Sequence, residues 1–328
     1  MDFQTVFLLG APRSGTTWVQ QMLGAHPAIA TPQETDLFSG YVEGWRRIWA
    51  DQLREAEGDW RQRRFKGLPS VLTQDEFDGF VHRFITEVYG KIMNLKPSAT
   101  TVLDKDPPHS LYVELIRRHL PQARFIHLVR DGRDVVSSLI AASRGWGRSW
   151  APKRFDEAVQ MWKTYVLAAR RAERLGNPYL EIRYEDLFDD GPAVLKRLFD
   201  FCLIDVSAED CSALHERFAL DSVRSRRDQP GTSIVWSGEV ERRFGGAPEE
   251  PEGFLGKGKR GAWKGAWGPY ERWCFERFAG DLLADLGYAT ADWTRTGLLQ
   301  RTAYSTREAG RLWLRQALKT AKSKLSAI

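Results

Sequence analysis

Between residues 7 and 18 the chain reads FLLGAPRSGTTW, a stretch equipped to hold a phosphate group. Gly10 and Gly15 are separated by four residues, with hydroxyls at Ser14, Thr16 and Thr17 and a guanidinium at Arg13. A strand that ends in such a loop and feeds a helix aims backbone N–H groups at one point, where the helix dipole adds positive potential. A triphosphate-binding loop of this spacing continues with Lys and then Ser or Thr, the lysine reaching the β- and γ-phosphates. Here Thr16 and Thr17 fill those positions, and the cation sits inside the loop at Arg13. That pattern suits an anion with no γ-phosphate.

A second segment, IHLVRDGRDVVSSL (126–139), places Arg130 at the C-terminal end of a strand, where open α/β sheets bind ligands. Ser137 and Ser138 follow about two helical turns later. An Arg and a Ser so spaced can clamp a second phosphate apart from the first. The competing reading pairs Arg130 with Asp131 or Asp134.

Taken together, these segments resemble the sulfotransferases whose donor is 3′-phosphoadenosine 5′-phosphosulfate (PAPS). PRSGTTW (12–18) is similar to their 5′-phosphosulfate loop, and VRDGRDVVSSL (129–139) to their 3′-phosphate segment. RYEDL (183–187) and GKGKRGAWK (256–264) resemble the later elements, where a tyrosine and a basic glycine-rich loop approach the nucleotide. The resemblance implies that Arg13, Ser14, Gly15, Thr16 and Thr17 hold the 5′ group and that Arg130 and Ser138 hold the 3′-phosphate. Tyr184, Lys257 and Gly258 would complete the donor site, with Trp18 either stacked on adenine or in the core. Gly256 stands where the family commonly has an Arg, and Lys259 or Arg260 are alternative sources of that charge.

The same resemblance implies direct in-line transfer to an acceptor hydroxyl or amine, releasing 3′,5′-diphosphoadenosine (PAP), with no metal. Glu34, in HPAIATPQETDLF (26–38), matches the Glu-Thr segment of tyrosylprotein and some bacterial members, which implies a general base. KDP (105–107) is similar to the tyrosylprotein members and makes Lys105 the leaving-group cation. His109, near the position of the catalytic histidine in cytosolic members, is the alternative base. The acceptor is expected to be a carbohydrate, a glycolipid, or a small alcohol or phenol. Two other readings compete: a nucleotide-dependent phosphotransferase with a degenerate loop, and a non-catalytic protein that binds PAP or a membrane.

The elements that must position these residues alternate between short apolar runs and helical patterns, the mark of a parallel sheet with crossover helices. Strands are expected at 5–10, 101–106, 124–129 and 179–184. Helices are expected at 16–25, 110–120, from 133, and at 155–176, 192–203 and 269–288. The expectation is a P-loop-like three-layer α/β/α domain over 1–290, with a helical acceptor-side insertion at 38–100 and a mobile loop at 222–268. A basic amphipathic tail over 291–328 follows, with Arg307, Arg311, Arg315 and Lys319 beside Leu314, Leu318 and Leu325. Through 305–325 that tail suits peripheral contact with an anionic membrane, or docking on the domain.

Composition sets the outer bounds. Of 328 residues, 42% are hydrophobic, enough for a sizeable core, and a net charge of +5 favours anionic ligands. The absence of a long basic block argues against nucleic acid. Cys202, Cys211 and Cys274 form no CxxC pair and suit a reducing compartment. With MDFQTVFLLG lacking a basic leader region, a cytoplasmic location is expected.

Overall fold

The computed structural model describes residues 3–57, 67–219, 234–235, 258, 260–290 and 300–306. Alternation along β1 (Gln4–Leu9) decides its layers: Val6 and Leu8 enter one core, Phe7 and Leu9 the other, all four fully buried. A strand buried on both faces belongs inside a parallel sheet with helices on either side. Around it lie β2 (Ile29–Ala30), β3 (Thr101–Asp104), β4 (Arg124–Val129) and β5 (Tyr179–Arg183), all parallel, in the order β2-β3-β1-β4-β5. The chain leaves β1 towards β2 and β4 towards β5, in opposite directions. The crevice between the C-terminal ends of β1 and β4 is therefore the topological switch point, where this architecture binds ligands.

The helices are α1 (Thr16–Gly24), α2 (Glu43–Glu57), α3 (Gln74–Asn94), α4 (Val113–His119), α5 (Gly132–Ser143) and α6 (Phe155–Ala169). They continue with α7 (Arg171–Arg174), α8 (Asp186–Asp189), α9 (Gly191–Phe201), α10 (Ala208–Arg217), α11 (Trp263–Ala266) and α12 (Pro269–Asp285). Helices α1 and α9 cover the face of Val6, Leu8, Ile126 and Leu128. Helices α3 and α4 cover the face of Phe7, Leu9 and Phe125. A third cluster joins α5, α6 and α12 through Trp162, Phe275 and Leu283. The P-loop-like α/β/α architecture with a central parallel sheet is thus present.

Several boundaries differ from the sequence expectation, among them the start of α4 at Val113 and the end of α12 at Asp285. β3 stops at Asp104, which frees Lys105 and Asp106 to leave the sheet at its ligand-binding end. The helix expected over 155–176 is divided at Arg170, between α6 and α7. β2, only two residues long, offered no period to read. Of the expected loop at 222–268, residues 234, 235, 258 and 260–268 are described, the last stretch carrying α11, and the Val235 N–H donates to the Thr31 carbonyl (2.9 Å), beside the Glu34 segment. Apart from residues 305 and 306, the 305–325 stretch lies outside the described residues.

Behind β5, Arg170 forks onto Glu181 through Nε and Nη2 (2.8 and 2.7 Å), and the Tyr179 hydroxyl donates to the same carboxylate (2.9 Å). Burial alone would raise the Glu181 carboxyl, but Arg170, His127 and Tyr179 outweigh it and hold it well below the usual range. A carboxyl depressed in the folded state contributes stability above its unfolded pKa and loses it as the pH falls. Arg170→Ala is expected to destabilise the protein by about 1–3 kcal/mol at neutral pH. In urea titrations that difference should shrink as the pH is lowered below about 4, the ordinary carboxylate range.

Candidate active site

The loop after β1 is built around two positive backbone angles, φ +75° at Arg13 and φ +97° at Gly15. The Gly10 N–H donates to the Ser110 hydroxyl (3.0 Å), tying the loop's start to the segment after β3. Gly15 caps α1 with no side-chain hydrogen bond, so no side chain caps the N–H groups at the start of this helix. This is the arrangement that receives an anion. A Cβ on Gly15 would lie 2.6 Å from the Tyr184 ring. Gly15→Ala is therefore expected to cost about 1–3 kcal/mol for the backbone angle, plus the overlap with Tyr184. Denaturant titration should show that loss, and calorimetry a loss of anion binding.

A second group of polar side chains adjoins the loop. Arg130 leaves the end of β4, donates from Nη1 to the Arg13 carbonyl (3.2 Å), and lays its guanidinium over the Tyr184 ring at 4.2 Å. From α5, the Ser138 hydroxyl accepts from Arg13 Nε (3.0 Å). The structure thus brings Arg13, Arg130, Ser138 and Tyr184 together around the uncapped start of α1. The acids proposed as competing partners of Arg130 have engagements of their own. Asp131 is forked by Arg133, and Asp134 accepts the N–H groups of Gly261 (2.7 Å) and Trp263 (3.2 Å).

The third group lies where β2 and β3 end. The Lys105 ammonium, with its side chain 2% exposed, donates to Glu34 Oε1 at 2.5 Å, while Glu34 is 43% exposed. A buried cation is here paired with an accessible carboxylate. Behind the pair, Asp104 accepts from the Tyr89 hydroxyl (2.7 Å) and lies 3.2 Å from His109 Nε2. Burial pushes the neighbouring Asp106 carboxyl up to about 6, against the opposing pull of His109. His109 itself is wholly buried, its ring edge-on to Phe7 and Phe38. Burial would lower its pKa, but Asp104 and the other nearby carboxylates raise it.

Two of the candidate residues, His109 and Trp18, are buried. His109 offers no surface to an acceptor; it belongs to the support behind Lys105. Trp18, 5% exposed, donates its indole N–H to the Phe218 carbonyl (2.7 Å) and packs on Tyr184 and Phe188. Ser14 is buried at the base of the loop, and Thr16 is buried while Thr17 is partly exposed. In the late loop, Gly258 has φ +58° and its carbonyl lies 3.5 Å from the Tyr184 hydroxyl, whereas Lys257 and Lys259 lie outside the described residues. Arg260 is turned to Asp189 (2.5 Å) and over Phe188. Trp146, over which the Arg13 guanidinium sits at 5.2 Å, was not singled out by sequence. The RGWGRSW stretch that carries it (144–150) interleaves Arg with Trp, which was its available signal.

Comparison with known proteins fits this geometry. The model of the sulfotransferase family matches residues 5–208, and the chain belongs to that family. Protein-tyrosine sulfotransferase A of Caenorhabditis elegans is 24% identical over 231 residues, covering 68% of this chain and 57% of that protein. Protein-tyrosine sulfotransferase 1 of Mus musculus is 30% identical over 140 residues, covering 43% of this chain and 35% of the mouse protein. The chain therefore spans well under two thirds of the length of these relatives. Among solved structures, a mouse sulfotransferase complexed with PAP superposes with a TM-score of 0.53 at 16% identity, over 87% of this chain and 89% of that one. The sulfotransferase domain of the Synechococcus PCC 7002 olefin synthase gives 0.50 at 19% identity, over 88% and 96%. These two likenesses establish the fold.

Proposed function

We propose that the chain transfers a sulfuryl group from PAPS to an acceptor hydroxyl and releases PAP. The observation that carries this reading is the convergence of Arg13, Arg130 and Ser138 at the uncapped start of α1, with the Glu34–Lys105 pair at the neighbouring strand ends. The residues fit a nucleotide with two separated anionic groups. A helix N-terminus without a side-chain cap takes the 5′ group, and a guanidinium backed by Tyr184 takes the 3′-phosphate.

When bound, PAPS supplies an activated sulfuryl group on its 5′-phosphate. Glu34 takes the acceptor proton as the acceptor oxygen bonds to sulfur. The sulfur–oxygen bond to the 5′-phosphate breaks, and its electron pair stays on the phosphate oxygen. Lys105, Arg13 and the loop N–H groups hold the charge that develops there, the kind of preorganised stabilisation worth about 3–4 kcal/mol per donor. Arg130 and Ser138 anchor the distant end and make the 3′-phosphate a condition of productive binding.

The curated relatives are named for action on protein tyrosine, so a tyrosine phenol heads the acceptor panel, ahead of sugars, glycolipids and simple alcohols. Labelled PAPS incubated with that panel should yield a sulfated acceptor and an equal amount of PAP. Label that appears only as free sulfate, with every acceptor class, would defeat the reading.

A further inference from the structure

The family match ends at residue 208, yet the chain returns to the donor site more than fifty residues later. It does so on a specific set of contacts with the first two turns of α5. The Asp134 carboxylate, 3% exposed, accepts the Gly261 N–H through Oδ2 (2.7 Å) and the Trp263 N–H through Oδ1 (3.2 Å). One turn on, the Trp267 indole N–H donates to the Ser137 hydroxyl (2.8 Å), which itself donates to the Arg133 carbonyl (2.9 Å). The Arg133 guanidinium lies over the Trp263 ring at 4.3 Å.

The helix holding these contacts is itself fixed at its start. The Asp131 N–H donates to Glu185 (3.0 Å), and Arg133 forks onto the Asp131 carboxylate. Residues three and four apart share a helix face, so Asp134 stands beside Ser137 and Ser138. α5 thus grips the β1 loop through Ser138 and Arg13, and the late loop through Asp134 and Ser137. The late loop is rich in positive charge, with Lys257, Lys259, Arg260 and Lys264 in eight residues. A buried carboxylate that accepts two main-chain N–H groups spends its lone pairs on loop shape rather than on neutralising those cations.

We propose that Asp134 is a positioning residue: it docks the main chain at Gly261 and Trp263 onto α5, one turn before Ser138, and so holds the shape of the 3′-phosphate side of the donor site and sets the preference for 3′-phosphorylated nucleotides. This rests on the donor-site reading above. It differs from a purely structural role for Asp134 as an acid in the first turn of α5, which would support 5′ and 3′ binding alike.

The test is calorimetry of Asp134→Asn with PAP and with adenosine 5′-monophosphate, which lacks the 3′-phosphate. Asparagine keeps the size but leaves one of the two N–H groups facing a donor instead of an acceptor. PAP affinity is expected to fall about tenfold or more, the worth of one hydrogen bond to a charged group, while monophosphate affinity holds. Trp267→Phe, which keeps an aromatic ring but removes the bond to Ser137, carries the test if Asp134→Asn does not fold, with a smaller loss of the same selectivity. Equal losses for both nucleotides, or no loss for PAP, would overturn the inference while leaving the donor site standing. An unmutated protein with no preference for PAP over the monophosphate would overturn the donor-site reading itself, and this inference with it.

Discussion

Glu34→Gln is expected to lower turnover by about 10²–10⁴-fold, the contribution of a positioned general base, with PAP affinity unchanged. Glutamine is the informative substitution because its side-chain carbonyl still accepts from the buried Lys105 ammonium, leaving that cation partnered. Alanine would strand Lys105 without its 2.5 Å partner and mix a structural cost with the catalytic one. Stopped assays with labelled PAPS give the turnover, and calorimetry gives the PAP affinity. Turnover close to that of the unmutated protein would remove Glu34 as the base. His109 would not inherit the role, because its ring is sealed between Phe7, Phe38 and Asp104.

Arg130→Ala should weaken PAP by about 10–150-fold, the range for losing hydrogen bonds to a charged group. Its side chain also covers Tyr184 and braces the Arg13 carbonyl, so alanine removes packing as well as charge. Arg130→Lys separates the two effects: it keeps a cation but loses the planar fork, and should fall between alanine and the original. Binding of adenosine 5′-monophosphate should change little in the lysine variant. If both nucleotides lose affinity equally with lysine, Arg130 acts on the loop and not on the 3′-phosphate.

How much of this was written in the sequence depends on how local each feature is. The β1 loop was legible because its glycines, hydroxyls and Arg13 are contiguous, and the strand and helix around it obey simple periods. The central strands were legible for the same reason, but β2 has two residues and no pattern to detect. The Glu34–Lys105 pair spans 71 positions, so the residues were found by resemblance, while their contact emerges only from the parallel pairing of β2 with β3. Trp18 could not be divided between core and ligand by helical spacing, and its bond to the Phe218 carbonyl, two hundred positions away, had no signal in the sequence. Asp134 was the least legible. Its partners are main-chain N–H groups 127 and 129 positions on, which have no side-chain identity to read.

The loop that began as a phosphate site lacking a lysine makes its strongest claim through the anion it should refuse. The direct measurement is calorimetry of the purified protein with PAP and with ATP plus magnesium under the same conditions. The two proposed anion positions, one at the α1 N-terminus and one at Arg130, require tighter binding of PAP, undiminished when magnesium is removed. Preference for magnesium–ATP would contradict the account and favour the phosphotransferase reading.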